Sequence, residues 1–178
     1  MNSEQILDLI SESFPRVVRN QAHTAGQLQV IVPLDQLAEL MVFLRDSQEL
    51  RYDMLSDLTA VDYPSRSPRF DLIYILYSTA FNRRLVVKSP IEDGQEAPSM
   101  THLWASANWG ERECFDLLGI VFANHPDLRR ILTWDNFLGH PLRKEFPLKG
   151  HDFDQPFDHT AIQVISAFEK NRDRKSVV

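Results

Sequence analysis

Six consecutive residues, Glu111-Arg112-Glu113-Cys114-Phe115-Asp116, hold three acids and one arginine in a stretch whose apolar spacing predicts a helix. Glu113 and Asp116 are three apart, the separation that brings two side chains to one helical face. Paired carboxylates in that position can exchange a proton with a substrate or hold a cation. The same residues can instead form an ion-pair network that fixes Arg112, or the later Arg129 and Arg130, at a partner interface. The network carries more weight than a catalytic dyad.

His151-Asp152-Phe153-Asp154 and Asp158-His159 mix nitrogen and oxygen ligands within nine residues, as metal sites do. No histidine pair has the i,i+4 helical spacing of a zincin site, so metal binding is the minor reading there. Combined with Glu111, Glu113 and Asp116, His151 or His159 would define a small metal-dependent hydrolase. His125 and His140 each precede a proline, and read as hydrogen-bonding residues of stiff loops. Cys114, inside the helix and beside Glu113, reads as a buried structural thiol whose neighbouring acids raise its pKa.

Cys114 is the only cysteine, so the chain has no intramolecular disulfide and cannot by itself supply the thiolates of an iron–sulfur cluster. GxGxxG, Walker-type, GxSxG and CxxC motifs are all absent, and six glycines leave little material for a phosphate-cradling loop. Arg129–Lys149 carries five bases against two acids among aromatic residues. That mixture fits single-stranded nucleic acid or a protein interface. The net charge of −6 argues against nucleic acid, and residues 63–178, with fifteen acids and fifteen bases, are neutral. All the acid surplus lies in residues 1–62, which are expected to face solvent.

The elements that position these residues follow from periodicity in 178 residues, the length of a single domain. A helix is expected over residues 3–13 behind Asn2, a strand over 28–32, and a helix from Pro33 to about Ser47. A strand within 51–62 fits poorly at its start. Phe70–Ser78 and Arg83–Ser89 read as a hairpin turning at Thr79–Asn82, with the first strand central and covered on both faces. Residues 90–99 read as a loop, Thr101–Leu118 as a helix with a possible break near Ser106, Gly119 as its C′ residue, and 120–122 as a short strand. The resulting class is α+β: a mixed β-sheet with helices packed on it, over residues 1–124. Residues 125–178 then form an extended proline- and aromatic-rich docking arm with a short final helix at 159–170. Within the arm, His125-Pro126-Asp127-Leu128-Arg129-Arg130 is echoed by His140-Pro141-Leu142-Arg143-Lys144, two stiffened segments each offering a basic pair. The N-terminus shows no export or import signal, and Leu72–Asn82, the longest uncharged apolar stretch, is far short of the ~20 residues a spanning helix needs. A cytoplasmic protein is expected.

Residues 104–120 (W-A-S-A-N-W-G-E-R-E-C-F-D-L-L-G-I), 125–132 (H-P-D-L-R-R-I-L) and 139–147 (G-H-P-L-R-K-E-F-P), with Leu58–Pro64 and Arg69-Phe70, strongly resemble the 30 kDa subunit family of respiratory complex I. The resemblance covers about residues 30–150. It implies a non-catalytic subunit of the peripheral arm of a proton-translocating NADH-quinone oxidoreductase, on the cytoplasmic side of the bacterial inner membrane and touching that membrane only through the complex. It implies docking on the large quinone-site (49 kDa-type, D) subunit and on neighbouring iron–sulfur subunits. NADH, FMN, iron–sulfur clusters and quinone would be bound elsewhere in the complex and none by this chain. Glu111, Arg112, Glu113, Asp116, His125, Asp127, Arg129, Arg130, His140, Arg143 and Lys144 fall on the signature and take fold-locking or interface roles. Related ferredoxin-using and hydrogenase membrane complexes contain a corresponding subunit, but Trp134–Gly139 looks like the NADH-type complex.

Overall fold

The structure, a computed structural model, describes residues 2–19 and 27–150. It divides into two compact units, residues 1–146 and 147–178. Of the second unit only a turn is described, closed by Gly150 N–H donating to Pro147 O (2.9 Å). The final helix expected at 159–170 and the His/Asp-rich segment 151–159 lie outside the described residues.

In the first unit, α1 (Ser3–Ser13) starts with a capping box: Asn2 and Gln5 exchange side-chain and backbone hydrogen bonds. Its Ile6 and Ile10 enter the core. After β1 (Val18–Arg19) and β2 (Leu28–Ile31), Pro33 caps α2 (Leu34–Asp46), where its missing N–H costs nothing. Leu37, Leu40, Met41 and Leu44 recur at helical spacing along α2, and all four are buried.

From α2 the chain crosses to the far edge of the sheet and returns as the meander β3 (Met54–Asp62), β4 (Phe70–Ser78) and β5 (Arg83–Ile91). The strand order is β1-β2-β5-β4-β3, with β5 parallel to β2 and the other pairs antiparallel. On one face Leu72, Tyr74, Leu76, Leu85, Val87 and Val30 join the apolar faces of α1, α2 and the later helix in one buried cluster. The other face of β4 is only half-covered, through Ile73, Ile75 and Tyr77. The poor strand pattern at the start of β3 has a cause: a register shift between Leu55 and Asp57, which breaks the period-two alternation.

Residues 90–99 are not a loop throughout. β5 continues to Ile91, and Glu96–Pro98 forms β6, parallel to β7 (Val121–Ala123), with Ala97 fully buried. The turn chemistry of Glu92–Gln95, with Gly94 at φ +81°, is real but short. The prolines are tolerated because Pro90 and Pro98 lie near strand ends. The helix expected from Thr101 is confined to α3 (Ala107–Leu118). Before it the chain is tied by side chains to β3 and the residues just ahead of it: Trp104 Nε1 donates to Tyr52 O (3.2 Å), and Ser106 Oγ to Leu55 O (3.0 Å).

α3 lies close on β3, and Gly110 makes that approach possible. A Cβ there would sit 2.8 Å from Leu58 Cβ and 3.1 Å from Leu58 O. Gly110→Ala is therefore expected to destabilise the chain by about 1–3 kcal/mol, although alanine is the better helix former by about 1 kcal/mol. The shift in the urea unfolding midpoint measures it, and a midpoint at or above the wild type would show that α3 can lift without cost.

Candidate functional site

The carboxyl of Asp116 is the point on which the segment after β7 is organised. It sits in the last turns of α3 with no side-chain exposure. Its Oδ2 accepts the backbone N–H groups of Ile131 (3.0 Å), Leu132 (2.7 Å) and Thr133 (2.8 Å). Its Oδ1 accepts Arg130 Nη1 (2.7 Å) and the Thr133 hydroxyl. Burial pushes this carboxyl up, but the bonds from Thr133, Arg130 and Ile131 outweigh it and hold it well below the usual carboxylate range. Arg130 is held in turn at its other nitrogen, which donates to Phe137 O and Gly139 O (both 3.1 Å). One carboxylate and one guanidinium thus shape residues 130–139.

The second histidine-proline segment closes the end of α3. A helix leaves its last carbonyls without intrahelical donors. Here Asp116 O accepts His140 Nδ1 (2.8 Å), Leu117 O accepts Leu142 N–H (3.0 Å), and Leu118 O accepts Arg143 Nε (2.7 Å). Gly119 then turns the chain at φ +76°. The Arg143 guanidinium continues into a bidentate pair with Asp93 (2.8 and 2.9 Å).

Beyond it, Arg69 makes a bidentate pair with Asp62 (2.8 and 2.9 Å) and a further pair with Glu145, while Lys144 N–H donates to Asp62 Oδ2 (2.8 Å). The Asp62 and Glu145 carboxyls are both lowered, each chiefly by its hydrogen bond to Arg69. Both guanidiniums lie against the Phe70 ring, Arg69 at 5.0 Å and Arg143 at 5.3 Å from its centroid.

The first histidine-proline segment is fixed at the other end of α3. His125 Nδ1 accepts Asp127 N–H (3.0 Å), and its Nε2 lies 3.3 Å from Asn108 O. Arg112 reaches back to Arg129 O and Arg130 O, both at 3.2 Å. Residues 125–146 are therefore a strap bonded along the length of α3. The first compact unit runs to Phe146, and these bonds draw the strap into it.

The eleven residues singled out from sequence divide by direction. Glu111, Arg112, Asp116, His125, Arg130, His140 and Arg143 turn inward and lock α3 to its neighbours. Glu113, Asp127, Arg129 and Lys144 are exposed. Glu113 and Asp116 therefore do not act as a pair: the strap buries one and leaves the other in water. Each basic pair is likewise split. Arg129 is 69% exposed and bonded to Asp127 (2.9 Å), whereas Arg130 is 16% exposed. Among the described residues, no three His, Cys, Asp or Glu side chains converge on a metal-sized site. Asp116, with both oxygens filled by donors, has no lone pair to offer as a base.

Asp93 and Thr133 are the working residues that spacing gave no reason to choose. Asp62 and Arg69 entered only through the resemblance, since the bond from Lys144 to Asp62 spans 82 positions.

Along the strap, Leu132, Trp134 (61% exposed), Leu138 and Leu142 stand out in solvent, and Trp109 of α3 is 64% exposed. Trp134 is braced edge-on against Phe137, with 4.8 Å between centroids. The arrangement defines a class: a mixed-sheet α+β domain with an ion-locked strap that displays apolar and basic side chains.

Comparison with known proteins narrows this class. The family described as respiratory-chain NADH dehydrogenase, 30 Kd subunit, matches residues 30–152. The chain belongs to that family. It is 42% identical over 168 residues to the C subunit of NADH-quinone oxidoreductase from Hyphomonas neptunium, covering 93% of this chain and 83% of the relative. NADH-ubiquinone oxidoreductase subunit 9 of Reclinomonas americana is 43% identical over 163 residues, covering 92% of this chain and 80% of the relative. Among solved structures, the trypsin-resistant fragment (1–134) of Nqo5 superposes with a TM-score of 0.60 at 32% identity, over 72% of this chain and all of the fragment. A chain of an archaeal membrane-bound sulfane sulfur reductase shares the fold, with a TM-score of 0.69 at 23% identity over 82% of this chain and 85% of the other. No helix among the described residues is long and apolar enough to cross a membrane.

Proposed function

We propose that this chain is a non-catalytic structural and assembly subunit of a proton-translocating NADH-quinone oxidoreductase. It docks through its strap on the large quinone-site subunit and on neighbouring iron–sulfur subunits, at the cytoplasmic face of the bacterial inner membrane. Contact with that membrane is made only through the complex, and nucleic acid is not a partner. NADH, FMN, iron–sulfur clusters and quinone are handled by other subunits. The single cysteine supports this division of labour, because one thiolate cannot hold a cluster.

The observation that carries the reading is the strap itself. Its inward side chains are saturated with hydrogen bonds, and its outward ones are the aromatic, aliphatic and arginine residues from which interface anchors are drawn. A strap locked before binding loses little further conformational freedom on docking, which favours affinity.

The test is co-purification from the native membrane with the partner subunits identified. Trp134→Ala together with Arg129→Glu is expected to reduce recovery of the large subunit by about tenfold or more, two lost anchors being worth upwards of about 1.4 kcal/mol together. The circular dichroism and unfolding midpoint of the isolated chain should stay unchanged, since both side chains are exposed. Full recovery of the large subunit by the double variant would count against docking through the strap. A flavin or cluster absorption spectrum from the purified chain would overturn the non-catalytic assignment.

A further inference from the structure

We infer that Glu111 and His125 form a buried proton-binding site at the root of the strap, where the protonation state of the Glu111 carboxyl decides whether His125 Nε2–H bonds Asn108 or Glu111. Both side chains are fully buried, with Glu111 Oε2 3.9 Å from His125 Nε2. Glu111 Oε1 accepts Met100 N–H (2.6 Å), but among the described residues Oε2 has no hydrogen-bond partner. A buried carboxylate oxygen without a donor is costly to leave charged.

The donors that face it, which favour the charged form, offset only part of that cost. The chain after β6 contributes Met100 N–H and the Ser99 hydroxyl, β4 contributes the Tyr74 hydroxyl, and α3 itself contributes the Cys114 thiol. Tyr74 Oη is itself buried without a partner. Asp57 of β3 and Glu113 of α3 add only negative charge nearby, felt at Cys114. Among the described residues, no arginine or lysine bonds the Glu111 carboxyl. Burial accordingly pushes it from an ordinary 4.5 to about 7.

His125 is poised to answer a change of charge. Because Nδ1 accepts the Asp127 N–H, the ring carries its proton on Nε2, the nitrogen that faces both Asn108 O and Glu111 Oε2. When Glu111 is a neutral acid, Nε2–H stays with Asn108 O. When the proton leaves for solvent, the carboxylate draws Nε2–H across a gap about 1 Å longer than a hydrogen bond. His125 is the first residue of the strap, so its movement is passed to Asp127 N–H and the exposed turn beyond it.

The sign of the linkage follows. A carboxyl raised in the folded state stabilises the fold fully below about pH 4.5, and that stabilisation is lost as pH rises through about 7. From this one group, the ratio of unfolded to folded chain should rise about tenfold between about pH 6 and about pH 8. The experiment uses the full chain, wild type and Glu111→Gln, with urea unfolding and nitrogen-15 spectra of the histidine rings across that range. Expected are a rise in the unfolded-to-folded ratio between about pH 6 and about pH 8 that is about tenfold larger in the wild type than in Glu111→Gln, and a His125 Nε2–H resonance that moves with a midpoint near 7 in the wild type only. Infrared spectra of the wild type labelled with carbon-13 glutamate decide the matter even if Glu111→Gln does not fold. A protonated carboxylic acid band present at about pH 6 and absent at about pH 8 supports the site. Absence of that band at about pH 6, or a His125 resonance that does not move, overturns it.

Discussion

Replacing Asp116 with alanine is expected to free residues 130–133 from α3 and to cost the chain about 3–5 kcal/mol, the range for removing one partner of a buried charge pair. The loss has two parts. Arg130, only 16% exposed, keeps its carbonyl acceptors but loses its counter-charge. Ile131, Leu132 and Thr133 lose the acceptor of three N–H bonds. Asparagine does not rescue the site, because its amide NH2 would face donors where the carboxylate faces them with lone pairs.

Hydrogen exchange of the Leu132 and Thr133 amides and the urea midpoint measure the effect. Wild-type protection in the Asp116→Ala chain would show that the strap is held without this carboxylate. Acid should mimic the substitution. The folded-state carboxyl lies below its ordinary value of 3.8, so its stabilisation is complete above that value and fades as the pH falls below it. Asp62 and Asp93, also lowered, chiefly by Arg69 and Arg143 respectively, act in the same direction.

Gly119→Ala is the second large effect. At φ +76° the left-handed backbone alone penalises a side chain by about 1 kcal/mol. The new Cβ would also lie 2.6 Å from His140 Nε2, 2.8 Å from His140 Cδ2 and 3.0 Å from Arg143 Nη2. Those side chains have little room to yield, because His140 is bonded to Asp116 O and Arg143 to Leu118 O and Asp93. A total of about 2–4 kcal/mol is expected, strain and overpacking together. It should be accompanied by faster exchange of the Leu142 amide, which bonds Leu117 O. An unfolding midpoint like that of the wild type would mean that the helix end repacks freely.

Much of the scaffold could be read from local pattern. The β4–β5 hairpin announces itself by two apolar runs and a four-residue turn with Asn82 at φ +51°, and α2 by four apolar residues at helical spacing. Where local pattern failed, a non-local partner had decided the outcome. Glu96–Pro98 became a strand because β7 lies beside it, and a three-residue strand has no period to detect. In Arg129-Arg130 and Arg143-Lys144, proline stiffens the backbone but does not say which base turns inward. That choice is made by Asp116 and Asp93, 14 and 50 positions away. The outward half of the candidate site was legible as residue type, the inward half only as membership of a motif.

The bonds that finish α3 also set an order of events during synthesis. Leu118 O waits for Arg143, 25 positions downstream, and Asp116 O for Arg130 and then His140, 14 and 24 positions downstream. A nascent chain that has emerged from the ribosome only as far as Gly119 carries a helix with a ragged end. The surface bearing Trp134 takes its final form only once Gly139, whose carbonyl accepts Arg130, has cleared the exit tunnel. The end of α3 is therefore completed only by residues that follow it in the chain, and its last turn and the strap become ordered together.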